Sequence, residues 1–322
     1  MAQSSAPTPA KPLVRIGTRA SKLALTQAGH MQVRIAAALG YGPEDAATVA
    51  PLIHITTTGD RVQDRRLLEI GGKALFTKEI EEAMLEGRID CAVHSMKDVP
   101  VERRPGLVLA AIPEREDPRD AFVSPSYANL ADLPQGARLG TASLRRQAQA
   151  LFARPDLVMV MVRGNVDTRL TKLQRGEAEA MLLAMSGLNR LGLSGFVRSA
   201  LDPIEAPPAP GQGALAIETP IRHHDAVWAQ ALRHAPTTLA VAAERGALEA
   251  LEGSCRTAVG AYAWRDGDRL RLVVEALTPD GRERFRRDGE IAYADDAETA
   301  ARALGLSLGD QVRVEGGDRL QL

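Results

Sequence analysis

Two cysteines and a run of arginines carry the chemistry open to this 322-residue chain. Cys255 sits in LEGSCR, in a loop after a helical run and beside Arg256. A loop thiol next to a cation can ionise to the thiolate, the nucleophilic form. Cys91 lies instead in IDCAVHS, a continuous apolar run, where free cysteine is a small hydrophobe. Lys97 and Asp98 follow that run directly. The pair reads either as a turn with a local ion pair or as a carboxylate acting on a cationic or N–H-bearing substrate beside a lysine. His94, within the run, reads as packed core. From Arg138 to Arg175, eight basic side chains stand against two acidic ones, Asp156 and Asp167, although the net charge is only −1.

All but six of the 40 basic residues are arginine, whose planar fork fits carboxylates and phosphates. GC-rich codon usage accounts for such a bias in number, so position has to decide. For any one arginine a solvated helix face is the ordinary reading. The set is different, because several of its members fall where strands end. An exposed ion pair contributes only ~0.2–1 kcal/mol, whereas micromolar binding needs about 8 kcal/mol. A ligand held by charge therefore needs several guanidinium forks at once, together with helix N-termini.

Other chemistries find little support. There is no CxxC or HxxxH spacing for a metal, and no GxGxxG or GxxxxGK[ST] for a nucleotide. The near-neutral balance and 3% aromatic content argue against a nucleic-acid binder, which needs basic charge and stacking platforms. No run reaches the ~18 apolar residues of a membrane span. The first twelve residues, MAQSSAPTPAKP, lack an apolar core and are expected to be a disordered arm, not a secretory signal. With two cysteines and no disulfide framework, the expected setting is the reduced cytoplasm.

The elements that must position these residues alternate between strand and helix, the pattern of an α/β chain. LVRIGT, LIHITTTGD, IDCAVHS and LVLAAI read as strands. Helices are expected over the run ending at Gly40 and over KALFTKEIEEAMLEGR, with Phe76, Ile80 and Met84 inward. The charged, proline-broken EREDPRD marks a domain crossing. RLGT, a helix capped by Ser143, the buried strand LVMVMV, the helix DTRLTKLQRG and the buried strand AEAMLLAM form a second unit. EAPPAPGQG is a second linker, and ALAIET a strand that could return to the first unit. After a helix stopped by Gly253, TAVGAYAW, RLRLVVEALT and ERFRRDGEI read as strands and DAETAARALG as a helix. The expected boundaries are an arm over 1–12, a first domain over 13–113 with 213–233, a second over 117–207, and a small α+β third over 236–322. RIGTRAS and RLGTAS are strand-to-helix turns of one design, which suggests topological siblings.

RIGTRASKLALTQA, GGKALFTKEIEEAML, AVHSMKDVP, EREDPRDAFVS, LGTASLRRQAQ, RGNVDTRLTKL, GLNRLGL, PAPGQGALAIE and LEGSCR occur in this order. Together they resemble the porphobilinogen deaminase (hydroxymethylbilane synthase) family, over nearly the whole chain after the arm. The resemblance implies an α/β fold of two similar type II periplasmic-binding-protein-like domains plus a small C-terminal α+β domain. It implies a transferase that joins four porphobilinogen units head to tail with loss of ammonia, giving linear hydroxymethylbilane. It also implies a dipyrromethane cofactor on Cys255, Asp98 as the catalytic carboxylate, and a monomer with no nucleic-acid or membrane partner.

By motif match, Lys97, Asp98, Thr141, Ser143, Arg145 and Arg146 would hold the cofactor. Arg19, Ser21, Lys73, Lys78, Arg163, Arg169 and Gln212 would hold substrate. Each pyrrole carries an acetate and a propionate, so a growing chain needs many cationic forks. The chain departs from the family pattern at Lys22 (usually proline), Ala142 (commonly serine), Asp167 (glycine) and Ser254 (commonly glycine). Loss of a hydroxyl at Ala142 is expected to cost about 0.5–1.5 kcal/mol at most. The rival reading is a non-catalytic two-lobed binding protein for a polycarboxylate, which explains the sheets and arginines but leaves Cys255 and its domain without a task.

Overall fold

The computed structural model describes Pro9 and residues 11–61, 77–252 and 257–320. Lys73, Phe76, Gly253 and Cys255 therefore lie outside the described residues, as does most of the expected arm. Four short strands open the chain: β1 (Ile16–Thr18), β2 (Leu52–His54), β3 (Cys91–Ser95) and β4 (Leu107–Ala111). Five more follow: β5 (Asp120–Val123), β6 (Arg138–Gly140), β7 (Val158–Val160), β8 (Ala180–Ala184) and β9 (Val197–Ala200). Then come β10 (Leu215–Pro220) and the hairpin-linked β11 (Ala258–Asp266), β12 (Arg269–Leu277) and β13 (Arg284–Ala292).

The first sheet has the order β2-β1-β3-β10-β4, the second β7-β6-β8-β5-β9. These are the same design. In each, four strands run in one direction, and an inserted fifth runs antiparallel to both its neighbours. The inserted strand differs in where the chain supplies it. β10 returns to the first sheet from beyond the second, and β5 enters the second before its own parallel strands. Both inserted strands are wholly buried, as a central strand covered on two faces requires. The sibling turns are equivalent: β1 leads to Ser21, which caps helix Lys22–Ala38, and β6 leads to Ser143, which caps helix Leu144–Ala153.

By contacts the chain divides into two compact units. One holds the first sheet, from residues up to Arg115 and from Ala214–Thr238. The other holds the second and third sheets, from Glu116–Gly213 and Leu239–Leu322. In the third, antiparallel sheet, the helices Ala235–Ala250 and Glu298–Gly316 cross on small side chains. A Cβ on Gly305 would collide with the carbonyl of Ala243. Two α/β sheets of one topology and a small α+β domain are the fold class expected from the sequence. No described helix is long and apolar enough to cross a membrane.

Several local expectations need correction. LVMVMV is not buried: β7 is an edge strand, with Val158 50% and Met161 45% exposed. LIHITTTGD is strand only over Leu52–His54, and a helical turn begins at Thr58. The helix begun in DAETAARALG runs on to Gly316. β5 and β9 are strands that the hydropathy pattern did not suggest.

Candidate active site

In the first unit, the chemistry-bearing residues stand where parallel strands end, the usual ligand end of an open α/β sheet. Arg19 follows β1 and is half-buried, and the Ser21 side chain accepts from the Ala24 amide at 3.3 Å. Lys97 and Asp98 lie in the 3-10 turn Met96–Asp98 directly after β3, and both are exposed. The turn is anchored from beneath. Met96 is buried and its amide donates to the Ala214 carbonyl at 3.0 Å, while Gln27 Nε2 donates to Ser95 Oγ at 3.1 Å. Lys78 is the exposed first residue of helix Lys78–Leu85.

His94 is a core residue, as expected. Its Nε2 pairs with Glu218 on β10 at 3.0 Å, and Glu218 also accepts from Arg103 at 3.0 Å. Burial pushes the Glu218 carboxyl up, but these two partners outweigh it and hold it below the ordinary value. Cys91 is fully buried, and that burial pushes its thiol up. It is packing, not a nucleophile.

In the second unit, Thr141 closes β6, and its Oγ1 accepts from the Ser143 amide at 3.2 Å. Arg145 and Arg146 turn inward and share one carboxylate, Asp120 at the start of β5. Arg145 Nη1 reaches Oδ2 at 2.7 Å, and Arg146 Nη2 reaches Oδ1 at 2.8 Å. Gln212, 1% exposed, donates to the same Oδ1 at 2.8 Å and accepts from Arg146 Nη2 at 3.3 Å. Burial by itself would push Asp120 up, yet the two guanidiniums hold it far below the usual carboxylate range. Arg163 follows β7 with its Nη1 buried and, among the described residues, without a hydrogen-bond partner. Arg169 donates from Nε to the Gly164 carbonyl at 2.8 Å. Its guanidinium is pulled down to about 10, first by burial and then by the charges of Arg146 and Arg163.

Arg145 and Arg146 thus share one buried acid, and Arg163 and Arg169 stand near enough to Arg146 and to each other for their charges to be felt at Arg169. A lowered guanidinium and an unpartnered buried Nη1 both mark a place that would gain from further negative charge. Asp167 occupies the first turn of helix Val166–Gln174, where an acid favours the helix dipole.

Three residues escaped the sequence reading. Asp120 looked like part of a charged linker. Arg190, pulled down by burial, donates to the Gly213 carbonyl at 2.7 Å. Glu244, wholly buried, accepts from the amides of Gly211 at 2.7 Å and Ala263 at 3.0 Å, tying the linker to the third sheet. For Arg190 and Glu244 the signal is a charged side chain inside an otherwise apolar or glycine-bounded run; Asp120, at the end of a charged segment, carries none.

Removing the central acid tests this cluster. Asp120→Asn is expected to destabilise the chain by about 3–5 kcal/mol at neutral pH, because two buried cations lose their counter-charge. The folded-state value lies below the unfolded one, so the stabilisation is present above about pH 4 and fades as pH falls towards the folded value. Denaturant unfolding of both chains across pH should show the gap narrowing in acid.

Comparison with known proteins decides the family. Residues 14–228 match the model "Porphobilinogen deaminase, dipyromethane cofactor binding domain", and residues 238–313 match "Porphobilinogen deaminase, C-terminal domain". The chain belongs to the porphobilinogen deaminase family. It is 68% identical over 311 residues to the porphobilinogen deaminase of Caulobacter sp. (strain K31), covering 96% of this chain and 98% of that one. It is 66% identical over 319 residues to that of Phenylobacterium zucineum, covering 98% and 100%. Against that of Ralstonia nicotianae it is 49% identical over 304 residues, covering 94% and 88%.

Among solved structures, a periplasmic substrate-binding protein of an ABC transporter from Coxiella burnetii aligns over 68% of this chain and 90% of its own, at 15% identity and TM-score 0.42. The aliphatic sulphonate binding protein SsuA from Escherichia coli aligns over 74% and 70%, at 15% identity and TM-score 0.40.

A deaminase of this family carries a dipyrromethane, and the described residues fit one. Two pyrroles bring four carboxylates, and all four clustered arginines fall within the matched cofactor domain. Cys255 falls within the matched C-terminal domain.

Proposed function

We propose that this chain joins four porphobilinogen units head to tail, releasing one ammonia for each, and frees linear hydroxymethylbilane with water. The observation that carries the reading is the surplus of guanidinium in the second unit: Arg145 and Arg146 share Asp120, Arg163 Nη1 is buried without a partner among the described residues, and Arg169 is pulled down by burial and by the charges of Arg146 and Arg163. Such a cluster suits a ligand that bears many carboxylates. When bound through Cys255, the dipyrromethane supplies a free pyrrole α-carbon as the nucleophile.

This chain's own residues do the rest. Arg145 and Arg146, with the Thr141 and Ser143 hydroxyls and Lys97, hold the cofactor's acid side arms. Arg19, Ser21, Lys73, Lys78, Arg163, Arg169 and Gln212 hold those of the substrate. As ammonia leaves, positive charge develops on the substrate pyrrole. Asp98 stabilises that charge at the ring nitrogen, an electrostatic effect that grows towards the transition state. Its carboxylate also stands ready to move a proton there. The enzyme works as a cytoplasmic monomer on a soluble substrate.

The experiment is incubation with porphobilinogen. Ammonia should appear with a linear tetrapyrrole, and the washed, denatured chain should give a pyrrole colour with Ehrlich's reagent. A colourless chain that releases no ammonia would replace this reading with that of a polycarboxylate-binding protein.

A further inference from the structure

Glu275 is not among the residues that hold cofactor or substrate, and its position is costly. It lies on β12 between Val274 and Ala276, opposite Gly260 of β11 and Arg286 of β13. Its side chain is wholly buried, and the other residues of the strand from Leu272 to Leu277 are buried and apolar. A hydrophobe would complete that sheet without the desolvation penalty of an acid. Burial pushes its carboxyl up, against the opposing pull of Gln149, Arg284, Arg286 and Arg145. Oε2 has no hydrogen-bond partner, and the nearest cation, Arg286 Nη1 at 3.8 Å, has none either. Glu275 Oε1 accepts a short hydrogen bond from Gln149 Nε2, at 2.7 Å.

Gln149 stands one helical turn after Arg145 and uses its whole amide. Nε2 donates to Glu275 Oε1 and, at 2.8 Å, to the Pro207 carbonyl. Oε1 accepts from Arg145 Nη1 at 2.7 Å. With both amide hydrogens claimed by acceptors, the amide oxygen is left to face the guanidinium. Arg145 Nη1 is then held among Gln149 Oε1, Asp120 Oδ2 and, at 3.1 Å, the Pro207 carbonyl, while its Nε stays buried and unpartnered.

We propose that Glu275 is a positioning residue for cofactor loading: through Gln149, its buried carboxylate fixes the Arg145 guanidinium in the pose that receives a cofactor carboxylate. The inference rests on the reading of Arg145 as a cofactor-holding residue. It adds a member on the third sheet that acts without touching the ligand. Displacing a reacting or binding group by about 1 Å can cost up to ~10²-fold in rate, and a loosened arginine held by two other acceptors should lose less.

The test follows loading, not turnover. Full-length chain made in cells that produce no porphobilinogen is mixed with porphobilinogen, and the covalent gain in intact mass is followed in time. Glu275→Leu and Gln149→Leu should each load about tenfold more slowly than the parent. The double variant should be no slower than either single one, because the two residues act in series. Glu275→Gln, which keeps an acceptor oxygen, should load at nearly the parent rate, a rescue that a merely structural role would not predict.

Parent-like loading of Glu275→Leu, or effects that multiply in the double variant, would overturn the proposal. Should Glu275→Leu fail to fold, the remaining two decide. Slow Gln149→Leu with fast Glu275→Gln supports it, and fast Gln149→Leu ends it. If the parent chain itself gains no mass, the proposed function fails instead.

Discussion

Cys255→Ala is expected to be isolated at its bare sequence mass and to make no tetrapyrrole, whereas the parent chain should weigh more by one dipyrrole. Elimination and motif both point to Cys255. The chain has two cysteines. Cys91 lies fully buried in β3, where its thiol is pushed up and cannot serve as a nucleophile. No second thiol can stand in for Cys255. Without a covalent primer there is no held α-carbon to attack the first substrate unit, so the loss is complete and not graded. Intact-mass measurement of the two purified chains settles it. An Ala variant that still carries the excess, or a parent chain active at bare mass, would remove Cys255 from the chemistry.

Asp98→Asn is expected to keep the covalent pyrrole and an unchanged melting temperature while kcat falls by about 10²–10³. Asp98 is exposed at the end of its 3-10 turn, and the turn is fixed from below through Met96 and Ser95. Its charge is therefore not part of what holds the fold. The isosteric amide removes the negative charge alone. A group that matters chiefly as positive charge develops should be missed in kcat more than in KM. Steady-state kinetics beside an intact-mass control make the measurement. A near-parental kcat would strip Asp98 of its role.

Local pattern revealed the parallel strands and their capped helices. Ser21 and Ser143 each announce a strand-to-helix turn, and the continuous apolar run before Met96 announces a central strand. β5 stayed hidden because DAFV follows directly on a charged, proline-broken segment, and what makes it a strand is β8, which pairs with it from sixty residues on. β7 misled for the opposite reason: its apolar sequence suits a covered strand, but an edge place leaves it half in water.

The site divides the same way. Arg145 and Arg146 were readable as a cationic pair, but not the acid they share. Asp120 comes from the strand inserted next to β8, a neighbour that only the sheet order supplies. Glu275 and Glu244 gave a signal in their apolar surroundings, without saying which partner each would meet.

The late return of β10 to the first sheet has a consequence during synthesis. β4 ends at Ala111, but the strand that must slot between it and β3 begins only at Leu215. At a translation rate of about 5–20 residues per second, the ribosome takes roughly 5–20 s to make the missing piece. Throughout that interval β3 and β4 each present an unpaired backbone edge, the feature most prone to mispairing between nascent chains. The second sheet has every strand it needs once Ala200 emerges. On the ribosome, the later-encoded lobe is thus the first able to close, and the N-terminal lobe must wait for it.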